Sequence, residues 1–213
     1  MLAFVFMAGV PSADARTLVF GFEGDREGAV PAGFRADMTG TWKATEWSVK
    51  TVEGRRVVAH TGFWDEDPNN VFPLLLATEA PAKDLTLSVR LYPVRPPAAV
   101  RGAEHDGAGI VVRLKDANNY YLLRAVPHES RVRLYKLVDG ERLTLAGKPL
   151  PVAVGQWHDL ALRVQGSAFT VYYDGAELFR YEDRTFAGAG AFGLWCKPNN
   201  VTYFDDLKAE IAE

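Results

Sequence analysis

The sequence predicts an all-β protein folded as an antiparallel sandwich or barrel, and three observations predict it. Apolar and polar residues alternate in short runs, turn-forming dipeptides separate the runs, and helical periodicity is almost absent beyond residue 16. In chain order the runs are Thr17-Leu18-Val19-Phe20-Gly21-Phe22, Leu85-Thr86-Leu87-Ser88-Val89-Arg90-Leu91 and Ile110-Val111-Val112-Arg113-Leu114. They continue with Arg131-Val132-Arg133-Leu134-Tyr135-Lys136-Leu137 and Phe169-Thr170-Val171-Tyr172-Tyr173. A period of two puts one set of side chains on a buried face and the other outside. The turn signals are Asp116-Ala117-Asn118-Asn119, Asp139-Gly140, Gly166-Ser167, Asp174-Gly175 and Pro198-Asn199-Asn200. Asp139-Gly140 and Asp174-Gly175 suit tight type I′ hairpins, because glycine accepts the positive φ such turns require. Some twelve short strands are expected, roughly the number a sandwich or barrel of this size holds.

Composition narrows the class. The chain has 213 residues, 24 basic and 27 acidic side chains and a formal charge of −3, too balanced for a non-specific nucleic-acid binder. With 24% charged and 12% aromatic residues it is not a disordered chain. No apolar run approaches the roughly 18 residues of a membrane-spanning helix. The lone Cys196 excludes an internal disulfide. No linker divides the sequence, and the Pro-rich piece Tyr92-Pro93-Val94-Arg95-Pro96-Pro97 reads as a loop leaving a strand.

Residues 1–15 read as a secretory signal peptide. An apolar stretch from Leu2 to Val10 leads through Pro11 and Ser12 to Ala13-Asp14-Ala15, a small-x-small cleavage pattern. The usual positive n-region is missing, and Leu2-Ala3-Phe4-Val5-Phe6 would also suit a buried strand. The signal reading makes 16–213 a single exported domain, secreted or periplasmic.

Four motifs occur in order across the second half: Asn119-Tyr120-Tyr121, Trp157-His158, Tyr173-Asp174-Gly175 and Phe204-Asp205-Asp206-Leu207. The stretch from about Gly107 to Glu210 that carries them resembles the concanavalin A-like, laminin-G-type jelly roll of secreted bacterial proteins. It is similar to the group labelled 3-keto-disaccharide hydrolase or family 16 glycoside hydrolase-like. Phe20-Gly21-Phe22-Glu23-Gly24-Asp25 resembles the opening strand of many jelly rolls. The resemblance implies a two-sheet antiparallel β-sandwich; for activity it implies little, because such sandwiches host lectins, binding modules, hydrolases and adhesion domains alike.

Chemistry of the known kinds is sparsely represented. The Glu-x-Asp-x-(x)-Glu strand of family 16 hydrolases, which sets nucleophile and acid on one face, is absent. There is no Gly-x-Ser-x-Gly elbow, and Cys196 shares the apolar side of its strand with Phe192 and Leu194, which reads as a buried thiol. His60, His105, His128 and His158 show no zinc-binding spacing. His128, Glu129, Asp65 and Glu66 are the best acid–base candidates, without a persuasive spacing. The resemblance also implies a structural calcium tying the first strand to the last, with Glu23, Asp25, Asp205 and Asp206 in the matching positions; hard carboxylate oxygens suit that ion. Asp65-x-Asp67-x-Asn69 lacks the glycine and closing glutamate of a calcium loop.

A binding face is the remaining reading. If Phe192, Leu194 and Cys196 point inward, Trp195 and Lys197 point away. With Ile110, Val112 and Leu114 inward, Arg113 points outward, and with Tyr121, Leu123 and Ala125 inward, Tyr120 and Arg124 do the same. Trp195, Lys197, Arg113, Arg124 and Tyr120 would then line a groove. There a pyranose stacks its apolar face on an aromatic ring, and cationic side chains take its hydroxyl or carboxylate oxygens. The expected function is carbohydrate or polysaccharide binding, or surface interaction, without catalysis; the alternative is a glycoside-processing enzyme. Outward aromatics covered by a loop, and arginines paired across strands, would give the same pattern. Trp42, Trp47 and Trp157 read as structural, and Trp64 as a further stacking platform.

Overall fold

Residue alternation folds this chain into two antiparallel sheets packed face to face. The computed structural model describes residues 16–41, 46–60, 70–94 and 107–212. Residues 1–15, expected to be a signal peptide, Trp42, Trp64, the acidic run 65–67, Arg95-Pro96-Pro97 and His105 lie outside the described residues. The first eight strands are β1 (Arg16–Phe20), β2 (Phe34–Thr39), β3 (Trp47–Val52), β4 (Arg55–His60), β5 (Phe72–Ala77), β6 (Leu85–Pro93), β7 (Ala108–Asp116) and β8 (Asn119–Val126). The rest are β9 (Arg131–Val138), β10 (Glu141–Pro149), β11 (His158–Gln165), β12 (Ala168–Tyr173), β13 (Ala176–Glu182), β14 (Ala191–Cys196) and β15 (Thr202–Ile211). One sheet runs β13-β12-β11-β6-β15-β4-β3 with β1 added on β15; the other runs β10-β9-β8-β7-β14-β5-β2. This is the all-β, concanavalin A-like jelly roll.

The turn chemistry acts as expected. Asp139-Gly140 and Asp174-Gly175 close two-residue hairpins with φ of 52° and 83°, and 47° and 77°, the double positive φ of a type I′ turn. Glu53-Gly54 closes β3 to β4 in the same way, at 49° and 80°.

The core lies between the sheets. Leu75, Ile110, Val112, Tyr121, Leu123, Leu134, Phe192, Leu194 and Cys196 face Leu87, Val89, Leu91, Leu160, Leu162, Phe169, Val171, Phe204 and Leu207 across it. Burying each large apolar side chain contributes about 1.5–3 kcal/mol. Cys196 is a buried free thiol, and the inward set assigned to β8 and β14 from alternation is the observed one.

On β7 the alternation slips. The register of β7 shifts against β8 between Val112 and Asp116, and Arg113 sits in the bulge with φ 49°. Leu114, expected in the inter-sheet core, therefore packs on the opposite face with Val111, Tyr120 and Trp195. Arg113, expected outward, turns inward: its Cζ lies 5.8 Å from the Phe169 ring, and the residue is 2% exposed. An inserted residue reverses every side chain beyond it, which two-residue periodicity cannot register.

Candidate functional site

The outer face of the seven-stranded sheet carries a second apolar cluster. Phe72, Leu74 and Leu76 of β5, Val111 and Leu114 of β7, Tyr120 and Leu122 of β8, Tyr135 and Leu137 of β9 and Trp195 of β14 form it. Cations lie over its rings: Arg124 over Trp195 at 5.3 Å, Arg142 over Phe72 at 5.0 Å and Tyr135 at 5.2 Å, and Lys197 over Phe72 at 5.7 Å. Thr39 Oγ1 donates to Ala117 O at 2.7 Å and so accepts from the Tyr120 hydroxyl, also at 2.7 Å. Burial pushes the Tyr120 phenol far above its ordinary range, keeping it a donor.

Of the five groove residues expected from the sequence, this face gathers four. Trp195, Tyr120 and Arg124 lie on it, and Lys197 follows β14 at its border. They are not an exposed stacking surface, however: Trp195 and Tyr120 are 0% exposed and Arg124 3%. Alternation identifies the side of a sheet but not whether that side is covered. Arg113 belongs elsewhere. Its Nε donates to Lys83 O at 2.8 Å, its Nη1 to Phe186 O at 3.0 Å and its Nη2 to Gly166 O at 2.6 Å and Asp84 Oδ1 at 2.9 Å. It joins loops of both sheets rather than facing a ligand.

An open cleft of about 650 Å³ adjoins one end of this face. Gly40, Thr41, Asn70, Val71, Asn118, Asp139, Gly140 and Glu141 line it. The end of β2, the start of β5 and the β7–β8 and β9–β10 turns supply these residues. The turns are tied together: Asn118 Oδ1 accepts from Gly40 N at 3.1 Å, Asn118 O accepts from Gly140 N at 2.9 Å, and Asn119 Oδ1 accepts from Asp139 N at 3.1 Å. Thr41, Asn70, Asn118, Asp139 and Glu141 are exposed, so hydroxyl, amide and carboxylate groups meet around one concavity. The sequence marked Asn118 and Asp139 only as turn residues; that two turns and two strand ends converge follows from topology, which no local pattern carries.

Of the carboxylates expected to hold calcium, Asp205 and Asp206 face an arginine side chain, and Glu23 and Asp25 accept from backbone N–H groups. Arg55 Nη2 lies 2.5 Å from Asp205 Oδ2 and 3.5 Å from Asp206 Oδ2. Asp25 Oδ1 accepts from Ala32 N at 2.9 Å, Arg56 bonds the Asp25 carbonyl, and Arg56 N donates to Glu23 Oε2 at 3.4 Å. Burial raises the Asp205 carboxyl, against the Arg55 guanidinium beside it. Among the described residues no three His, Cys, Asp or Glu side chains gather as a metal would need. The Arg55 guanidinium of β4 thus sets a positive charge against Asp205 and Asp206 of β15.

Of the acid–base candidates, Asp65 and Glu66 lie outside the described residues, and His128 and Glu129 lie together. His128 Nε2 lies 3.6 Å from Glu129, whose carboxylate is held by Arg133 at 2.5 Å; this pair lies in the β8–β9 turn, at the other end of those strands from the cleft. His60 is buried against Trp47, with ring centroids 5.4 Å apart, and burial lowers its pKa to about 4. His158 is buried, with Nδ1 2.9 Å from Asp174 Oδ2 and Nε2 3.0 Å from Ala153 O.

No family model matches the chain, and no curated protein matches it. Solved structures do. The carbohydrate-binding module CBM66 from Bacillus subtilis is similar with a TM-score of 0.65 and 20% identity, over 84% of this chain and 95% of that one. Domain 4 of an extracellular GH43 arabinanase from Geobacillus stearothermophilus, solved in complex with arabinotriose, has a TM-score of 0.58 and 17% identity over 93% of both chains. A Bacillus subtilis protein with a galectin-like fold has a TM-score of 0.55 and 9% identity, over 84% of this chain and 90% of that one. At these identities the similarity is one of fold. Among the described residues no helix is long and apolar enough to cross a membrane.

Proposed function

We propose that this chain is an exported, non-catalytic carbohydrate-binding or surface-interaction module, and that its site is the cleft at the end of the seven-stranded sheet. The observation that carries the reading is the convergence of Thr41, Asn70, Asn118, Asp139 and Glu141 on one concavity of about 650 Å³. Sugars are recognised by hydroxyl, amide and carboxylate groups in a pre-formed hollow, and the hydrogen bonds joining Gly40, Asn118, Asn119, Asp139 and Gly140 fix the turns that form its floor before any ligand arrives. Fold similarity to CBM66 and to the arabinanase domain supports the reading. The laminin-G-type and 3-keto-disaccharide hydrolase-like resemblance adds a glycoside-processing alternative. That alternative needs an acid and a base roughly 5–10 Å apart, for which Asp139 and Glu141 are the cleft's own carboxylates.

The test is calorimetric titration of the full chain with arabinotriose and with other short neutral oligosaccharides, the products being followed by mass spectrometry. Binding without altered sugar, weakened at least about tenfold in Asp139→Asn/Glu141→Gln, is the expected result. Released or oxidised products that vanish in the same variant would establish the enzyme instead. Export predicts that the secreted form begins at Arg16, which N-terminal sequencing reads directly.

A further inference from the structure

The outer face of the eight-stranded sheet bears a row of three aromatic side chains. Tyr203 of β15 stands directly opposite Tyr92 of β6 in the register. Trp157 precedes β11, whose His158 stands opposite Leu91, so Trp157 falls beside Tyr92. The Tyr92 ring lies 5.9 Å from that of Tyr203 at an interplanar angle of 20°, and 5.4 Å from Trp157 at 61°. All three are half-buried, unlike the covered rings of the opposite sheet.

A charged row runs beside the aromatic one. Asp205 and Asp159 stand opposite Arg90 from its two sides, and Arg90 also reaches Asp206 Oδ2 at 3.4 Å. The Arg90 guanidinium lies over Trp157 at 5.1 Å, fixing the indole. Gly155 N donates to Pro93 O at 2.9 Å and His158 is held by Asp174, so the segment carrying Trp157 is tied at both ends. Arg90, Asp206 and Asp159 keep 33%, 47% and 64% of their side-chain surface, leaving polar atoms open along the aromatic row.

We propose that this row is a second binding surface, distinct from the cleft, for an extended and uncharged polysaccharide chain lying across the strands. Neighbouring strands are roughly 4.8 Å apart, close to the length one pyranose adds to an extended chain, so successive sugars meet successive rings. Each sugar sets its apolar C–H face on a ring, while its hydroxyl edge reaches Arg90, Asp159 or Asp206. Asp159, Asp174, Asp205 and Asp206 outnumber Arg55 and Arg90 here, which repels a polyanionic chain.

Calorimetry of the full chain with cellohexaose, xylohexaose, cellobiose and a hexagalacturonate tests this. The expected result is binding of at least one neutral hexaose, at least about tenfold tighter than cellobiose, with no hexagalacturonate binding. Trp157→Ala and, as a second substitution at a strand position, Tyr203→Ala should each weaken the hexaose at least about tenfold, whereas Trp157→Tyr and Arg180→Ala, at the exposed Arg180–Glu177 pair of β13, stay within about twofold. Circular dichroism melts confirm that each variant folds. Failure of the chain to bind either neutral hexaose, or equal binding by both ring-removal variants, overturns the proposal. Loss in Glu141→Gln with retention in Trp157→Ala assigns the binding to the cleft and overturns this surface alone. Trp157-dependent self-association in sedimentation, without hexaose binding, assigns the row to a second copy of the chain and overturns it too.

Discussion

Arg113 Nη2 lies 2.9 Å from Asp84 Oδ1, with the guanidinium 1% exposed and the carboxylate 31%. The same guanidinium donates to the carbonyls of Lys83, Phe186 and Gly166, so one side chain satisfies loops attached to both sheets. Asp84 Oδ1 accepts in addition from Gly166 N at 2.9 Å.

Removing that guanidinium leaves the carbonyls of Lys83, Phe186 and Gly166 without this donor. Arg113→Met is expected to destabilise the fold by about 1.5–3 kcal/mol, the usual cost of losing hydrogen bonds from a charged group. Arg180→Ala, which removes the exposed pair with Glu177, should leave stability nearly unchanged, because solvent screens that pair. Urea unfolding of the two variants measures the contrast.

Trp195→Ala is expected to act on stability before it acts on binding. The indole is fully buried, stacked near Phe72 with ring centroids 5.0 Å apart and covered by Arg124. Truncating a buried Trp costs about 3–5 kcal/mol, so its thermal midpoint should fall sharply; an unchanged midpoint would mean the side chain is accessible in solution.

Stability should fall with acid along two limbs. His60, held near pKa 4 by burial against a usual value of 6.5, binds its proton more readily in the unfolded chain. Stability therefore declines as pH falls from about 6.5 to about 4, by up to about 3 kcal/mol. Burial alone would raise the Asp183 carboxyl, but hydrogen bonds from Lys136, Thr185 and Tyr121 overcome this and hold it well below the usual carboxylate range. Its contribution is complete above the unfolded value of about 4 and is lost as pH falls below it. Stability measured from pH 7 to pH 2.5 should show both limbs, and Asp183→Asn should flatten only the lower one.

Gly109→Ala should disrupt the pairing of β7 with β8. A Cβ there would collide with the Leu123 carbonyl, a backbone atom that cannot swing aside, so a loss of at least about 1–3 kcal/mol is expected. Gly54→Ala, at a hairpin with open space around it but φ of +80°, separates backbone strain from collision. Equal stability of Gly109→Ala and the native chain would contradict the observed register.

Strand positions were legible because each obeys a local rule: alternation fixed the inward set of β8 and β14, and Asp-Gly pairs marked two hairpins. The Arg113 bulge was not, since an inserted residue leaves no trace in a pattern of polar and apolar letters. Twelve strands were expected and fifteen are described; irregular runs such as Phe72–Ala77, apolar at every position, hide a strand buried on both faces. The site was legible only as a side of a sheet. Alternation placed Trp195 and Tyr120 away from the core, yet their cover, the cleft beyond them and the Arg55–Asp205 contact all depend on residues far apart in sequence.

Carbohydrate binding in the cleft can be read residue by residue from backbone amide chemical shifts of the full chain during titration with arabinotriose. Saturable shifts concentrated at Gly40, Asn70, Asn118 and Gly140, reduced in Asp139→Asn/Glu141→Gln, are expected. Saturable shifts that leave those amides unmoved, or no saturable shift with arabinotriose or any other short neutral oligosaccharide, would contradict it.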